Sequence, residues 1–180
     1  MCGIFGINSN KNFHINQLIS ILEQLEHRGK DSYGITFITD SNEKKCIKSL
    51  EKFKNYNEDT YNNIKIGITH NRYSTTKNKS QQAFMDEIQP LHFKNDSIEF
   101  DLVHNGNISN IPKYISYDEN LSDTQNIITF FNNTTSETFE NTLISFINSI
   151  HCSYSIIILF QNSLYVLRDS YGYKPLFLGT

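Results

Sequence analysis

The order in which short β-forming runs and helical repeats follow one another constrains this chain more than any other feature. Apolar runs rich in Ile, Phe and Tyr occur at Cys2–Ile7, Ser32–Thr39, Ile64–Thr69 and Ile98–Val103, and again at Ser153–Phe160 and Leu164–Leu167. Each has the length and β-branched content of a strand. Between the first two, Ile15, Leu18, Ile19, Leu22 and Leu25 recur at helical spacing and predict an amphipathic helix that stops before Gly29. Ile127, Ile128, Phe130 and Phe131 after Ser122, then Phe139, Leu143, Ile144, Phe146 and Ile147 after Glu137, predict two more, with Ser122 or Asp123 as N-cap of the first. Helix pairs standing between groups of strands imply a layered structure rather than strict βαβ alternation. Gln161-Asn162-Ser163 is short enough to make a hairpin of the last two runs. From Asp40 to Asn63 only a weak strand near Cys46 and Ile47 is expected. The polar run from His70 to Gln82 reads as a functional loop or a tip, and His104-Asn105-Gly106-Asn107 as a turn.

Composition narrows the function. A chain of 180 residues is most simply one domain, and a hydrophobic share of 38% with a charged share of 19% is that of a globular protein rather than a disordered one. A net charge of -3, with no Lys/Arg cluster interleaved with aromatics, disfavours nucleic-acid binding. No signal-peptide pattern opens the chain and no apolar run approaches the length of a membrane span, so a cytoplasmic protein is expected. Cys2, Cys46 and Cys152 are odd in number and lack a CxxC, which leaves free thiols, and no spacing among the six histidines suits a metal. No cofactor is expected.

The chemistry gathers at the N-terminus. If Met1 is removed, Cys2 carries both a thiol and a free α-amine, and an α-amine with a pKa of about 7.7–8.0 can accept the thiol proton near neutrality. The competing reading is a small buried hydrophobe in an apolar strand. Acyl transfer by such a thiol needs oxyanion donors, which Asn105 and Gly106 could supply, although Asn-Gly is also an ordinary turn. Arg72 is suited to a carboxylate, or is a solvated surface arginine. Asp123 could hold an ammonium group, or simply cap a helix. His27-Arg28-Gly29 has the composition of a helix end, His70 and His104 read as structural, and Cys152 as core.

The order of these pieces resembles a known family. CGIFGI at the start, LEHRGKDSYG from Leu25 to Gly34, GITHNRYST from Gly67 to Thr75, and IQP from Ile88 to Pro90 are similar to the glutaminase domain of class II glutamine amidotransferases, a group of N-terminal-nucleophile hydrolases. LVHNGNISN from Leu102 to Asn110, SDTQ from Ser122 to Gln125, and LYVLRDSYGYKPLFLG from Leu164 to Gly179 continue the likeness. RYST, SDT and the closing segment look most like the amidophosphoribosyltransferase branch, whose setting is purine biosynthesis. The resemblance implies an α+β fold, the four-layer αββα sandwich. It also implies that Cys2 attacks the amide of glutamine through a thioester intermediate and that Asn105 and Gly106 form the oxyanion hole. Arg72 would bind the α-carboxylate and Asp123 the α-ammonium, while Tyr73 and Thr75 would belong to a loop that closes over the substrate.

Asn71 and Ser170 depart from the family pattern at positions outside that chemistry. The chain has no adjacent Asp-Asp of the kind a phosphoribosyltransferase domain would bring. The expectation is a single glutaminase domain over residues 1–180, delivering ammonia to a separate synthase or phosphoribosyltransferase partner. A hydrolase of another γ-glutamyl amide and a catalytically silent module of the same fold are the alternatives. Retention of Cys2, Arg72, Asn105, Gly106 and Asp123 argues against the silent module.

Overall fold

A computed structural model describes residues 1–73, 81–108, 117–134 and 138–180, with backbone alone at 81–83. Its strands form two four-stranded antiparallel sheets. The first contains β1 (Gly3–Phe13), β2 (Ser32–Thr39), β3 (Lys44–Ser49) and β4 (Ile64–Arg72), in the order β1-β4-β2-β3. The second contains β5 (Leu91–Lys94), β6 (Glu99–Asn107), β7 (Ser153–Phe160) and β8 (Ser163–Arg168), in sequence order.

Side-chain alternation along these strands makes the layers. In β2, Tyr33, Ile35 and Phe37 face helix α1 (Ile15–Gln24), packing on its Ile15, Leu18, Ile19 and Leu22. Ile38 of the same strand faces the other way and joins Ile66, Ile68, Val103, Ile157 and Leu159 in a cluster between the sheets. The outer face of the second sheet presents Phe100, Leu102, Ile156 and Ile158 to helices α3 (Asp123–Asn133) and α4 (Phe139–Ser149), whose Phe130, Phe131, Phe139 and Phe146 complete an aromatic core. Each such side chain buried contributes about 1.5–3 kcal/mol by transfer from water. Helix, sheet, sheet, helix is the expected αββα sandwich.

The predicted elements are all present, with informative differences. Helix α1 is capped by His14, whose ring accepts from Asn16 N–H while Gln17 completes a capping box. A 3-10 turn (Glu26–Arg28) then closes the segment before Gly29. The weak strand near Cys46 is β3. Of the polar run from His70 to Gln82, residues 74–80 lie outside the described residues; at its start β4 continues to Arg72, and at its end a short helix α2 (Gln81–Asp86) leads on to strand β5, neither of which periodicity foretold. His104 to Asn107 is strand rather than turn, since Asn105 pairs with Ser155 and Gly106 with Tyr154.

Candidate active site

The register of the first sheet assembles the N-terminal residue and the arginine. β1 pairs Gly3 with Asn71, so Cys2, one residue outward, lies alongside Arg72, while β2 sets Ser32 opposite Arg72 on the other side. By alternation, Cys2 shares the face of Ile4 and Arg72 that of Ile68, and both Ile4 and Ile68 pack in the cluster between the sheets. Asn105 shares the face of Val103, which belongs to the same cluster from the opposite sheet. His70 and His104 interact across the interface, which brings the polar ends of β4 and β6 to the same end of the sandwich.

The turn after α1 is fastened to Arg72 through the main chain. Asp31 N–H donates to the Arg72 carbonyl at 3.0 Å. Asn71 Nδ2, fully buried, donates to the carbonyls of Leu22 at 2.9 Å and Gly29 at 3.3 Å. The family-matched LEHRGKDS turn thus holds the end of β4 in place. Arg28 of this turn also reaches Met1, donating from Nη2 to Sδ at 3.8 Å, while Met1 itself is 58% exposed and Cys2 half-buried.

Arg72 is not the solvated surface residue of the competing reading, for it is only 8% exposed. Its Nη2 is hydrogen-bonded to Glu87 Oε2, its Nη1 donates to the Phe84 carbonyl at 3.2 Å, and its guanidinium lies 4.3 Å from the centre of the Phe84 ring. Tyr73, the next residue, is exposed. Thr75 lies outside the described residues.

A buried polar network ties the second sheet to α3. Gln89 Oε1 accepts from the His104 backbone N–H at 2.6 Å, and Gln89 Nε2 donates to Thr124 Oγ1 at 2.8 Å. The same hydroxyl meets His104 Nδ1 at 3.2 Å. Burial pushes both His70 and His104 down to about 3, with His104 and Arg72 adding unfavourable charge beside His70, and Lys174 beside His104. Both rings are neutral near pH 7 and serve as structure rather than as acids. Gly106 must be glycine here: a Cβ would stand 2.3 Å from the Ser153 carbonyl oxygen and 2.5 Å from His104 Nε2.

Asp123 is not the cap that ordinary helix chemistry would make of it. Ser122 takes that role, accepting from Gln125 N–H and forming a capping box. Asp123 occupies the first helical position, and its Oδ2 accepts from Ile108 N–H at 3.0 Å, joining the start of α3 to the end of β6. Among the described residues no group of three or more His, Cys, Asp or Glu side chains could hold a metal ion, and no helix is long and apolar enough to cross a membrane.

Sequence reasoning named Cys2, Arg72, Asn105, Gly106 and Asp123 as candidates and did not name the residues that the structure sets around them. Gln89 and Thr124 lay within the quoted IQP and SDTQ blocks, which is the signal that could have raised them. Phe84 and Glu87 carried none, because the polar stretch gave no hint of a helix returning to Arg72.

The architecture is that of an N-terminal-nucleophile sandwich, with a candidate site between the sheets at one end. The chain matches the family model described as a glutamine amidotransferase domain over residues 70–180. It is 30% identical to the amidophosphoribosyltransferase of Methanocaldococcus jannaschii, covering 99% of this chain and 40% of that protein. It is 29% identical to that of Staphylococcus aureus, covering 99% and 37%, and 25% identical to that of Lacticaseibacillus casei, covering 99% and 94%. Among solved structures, the glutamine phosphoribosylpyrophosphate amidotransferase from B. subtilis, complexed with ADP and GMP, superposes with a TM-score of 0.74 at 22% identity, over 96% of this chain and 38% of that one. At that identity the likeness shows the fold. The chain spans about two fifths of the length of the M. jannaschii and S. aureus relatives. It belongs to the glutamine amidotransferase domain family, and glutamine amide transfer is the role of that family.

Proposed function

We propose that this chain is a glutaminase domain over residues 1–180, hydrolysing glutamine to glutamate and ammonia with Cys2 as nucleophile once Met1 has been removed. The α-amine of Cys2 takes the thiol proton, and the thiolate attacks the side-chain amide carbon. Asn105 Nδ2–H and the Gly106 N–H stabilise the oxyanion that forms. Collapse of the tetrahedral adduct breaks the C–N bond, and the protonated amine gives its proton to the departing ammonia. Water then attacks the γ-glutamyl thioester and glutamate leaves.

Arg72 binds the α-carboxylate, Asp123 the α-ammonium, and Tyr73 and Thr75 stand in the segment that follows the clamp. Ammonia passes to an acceptor-binding partner, either a synthase or the phosphoribosyltransferase unit of the kind that the longer relatives' name denotes. The cytoplasm suits this chemistry, because a free N-terminal thiol needs reducing surroundings. The observation that carries the reading is the β1–β4 register, which sets Cys2 beside a buried arginine and toward the sheet that holds Asn105.

The test begins with intact mass, which should show loss of Met1. Purified chain incubated with glutamine should then release glutamate, and Cys2→Ala should release none. Glutamate release that persists in Cys2→Ala would sink the mechanism.

A further inference from the structure

An oxyanion donor at Gly106 needs an N–H with no acceptor of its own, and the hydrogen-bond pattern of β6 leaves one there. Successive N–H groups of an antiparallel strand point to opposite sides. The His104 N–H is given to Gln89 Oε1, on the side away from β7. The Gly106 N–H, two residues on, points the same way. Tyr154, opposite Gly106 in the ladder, agrees: its N–H goes to Asp169 Oδ2 and its carbonyl accepts from Asp169 N–H, so neither faces Gly106. On the open side β5 begins at Leu91, opposite Leu102, and reaches no further along β6. The next N–H on that edge, of Ile108, is given to Asp123 Oδ2. The Gly106 N–H thus stands between two N–H groups satisfied by side chains, each roughly 7 Å away along the strand, which puts their acceptors out of its reach.

We propose that Gln89 is the positioning residue of the oxyanion hole, ending the ladder of β6 one donor short of Gly106 and aiming that donor through His104. The inference rests on the reading of Gly106 as an oxyanion donor. Carried two residues back, the β5–β6 register would set position 89 opposite His104. The Gln89 carbonyl is instead turned to Gly34, where a Cβ would lie 1.9 Å from it, and the side chain makes the bond that a longer strand would have made. A longer strand would have continued and taken the Gly106 N–H as well. A side chain takes one donor and stops. The other end of the amide fixes the ring of the same residue: Gln89 Nε2 donates to Thr124 Oγ1, whose own proton is then free for Nδ1 of the neutral His104 ring at 3.2 Å. His104 Nε2 lies 2.5 Å from the position that a Cβ on Gly106 would take. Gln89 therefore holds residue 104 by backbone and by ring, and the ring abuts Gly106. A donor fixed before the reaction is what oxyanion stabilisation requires, because reorientation during the reaction would consume the gain.

The experiment has two readouts on Gln89→Met, which keeps the length of the side chain and removes both hydrogen bonds. The first is glutamate release, expressed per Cys2 thiol titrated in folded protein. An oxyanion donor acts in the transition state, so kcat should fall by at least about tenfold while KM for glutamine stays within about twofold of native. The second is amide hydrogen exchange, followed by NMR in Cys2→Ala chains labelled at glycine and histidine nitrogen, which does not depend on the thiol chemistry. Without Gln89→Met, the His104 N–H should exchange at least about tenfold more slowly than the Gly106 N–H, and Gln89→Met should bring the two together. A smaller fall in kcat, or one accompanied by an equal rise in KM, overturns the proposal. So does a Gly106 N–H as protected as that of His104 before Gln89 is changed. If Gln89→Met does not fold, Thr124→Val breaks the same chain at the hydroxyl: kcat should fall by at least about threefold and be restored in Thr124→Ser, and a smaller fall overturns the proposal. A native chain that releases no Cys2-dependent glutamate removes the glutaminase reading, and the exchange pattern then decides by itself whether Gln89 holds the donor.

Discussion

Acidification should destabilise this protein well above the pH at which its carboxylates protonate, and two histidines are the cause. His70 and His104 are fully buried and held down to about 3, against an unfolded value of 6.5. Between those values the unfolded chain binds protons that the folded chain refuses, so stability is full above pH 6.5 and falls as the pH drops through that window. Each histidine then forfeits about 1.4 kcal/mol for each pH unit below its unfolded pKa, so the pair costs roughly 3 kcal/mol one unit below it and roughly 5 kcal/mol two units below. A domain stable by about 5–15 kcal/mol approaches unfolding on that account alone. The carboxylates held low, Glu99, Asp40, Glu140 and Asp169, start from model values of 3.8 to 4.5 and lose their contributions below the upper part of this window.

Urea denaturation at a series of pH values reads the slope directly, through the midpoint at constant m. His70→Leu isolates one member of the pair. Among the described residues no side chain is hydrogen-bonded to the His70 ring, so the exchange strands no side-chain partner, and its cost near neutrality should stay within about 1.5 kcal/mol. The slope between pH about 6.5 and 5 should fall to half in this variant. A native chain whose stability is flat across that range, or a His70→Leu variant with the full native slope, would refute the reasoning.

Other perturbations test the parts that hold the site. Gly34→Ala would drive a Cβ to 1.9 Å from the Gln89 carbonyl oxygen, displacing the segment that carries Gln89, and should destabilise by about 2 kcal/mol or more in thermal melts, with a parallel fall in glutamate release. Ser122→Ala removes the cap of α3 and should cost about 1 kcal/mol, with a raised KM for glutamine because Asp123 is the next residue. Lys44 bridges Glu99 at 2.6 Å and the buried Asp101 at 3.0 Å, linking the first sheet to the second; Lys44→Met should cost about 1–3 kcal/mol in urea denaturation, the loss arising chiefly from the carboxylate left behind.

The layers were legible because packing sets periodicity. The helix carrying Leu18 and Leu22, the paired helices rich in Phe, and the hairpin at Gln161–Asn162 all declare a buried face in their spacing. Elements that bury little were not legible: β5 has only Leu91 and Phe93 facing inward, and α2 is too short for a repeat. The candidate site residues could be named from their match to family blocks, while the reasons for their placement needed the registers. Nothing local in the sequence links Glu87 to Arg72 or Gln89 to His104. Those contacts are made by the return of the chain through α2 and β5.

The two misread strands share a cause that also locates the site. β4 runs as Ile64, Ile66 and Ile68 on alternate positions and then turns polar at Thr69, His70, Asn71 and Arg72; β6 runs as Phe100, Leu102 and Val103 and then turns polar at His104 and Asn105. Read by composition, each change marks the end of a strand. In the fold each strand continues, because β1, β2 and β7 supply backbone partners past the point where the apolar side chains stop. Ladder hydrogen bonds there keep polar side chains buried at an energetic cost that packing alone would not sustain, and most of the buried polar atoms without partners among the described residues belong to this end of the two sheets. A sandwich selected only for stability would carry its apolar pattern to the ends of its central strands. Two central strands that abandon it at the same end, each beside an edge or helix bearing another polar candidate residue, mark the place where the proposed chemistry would have its site.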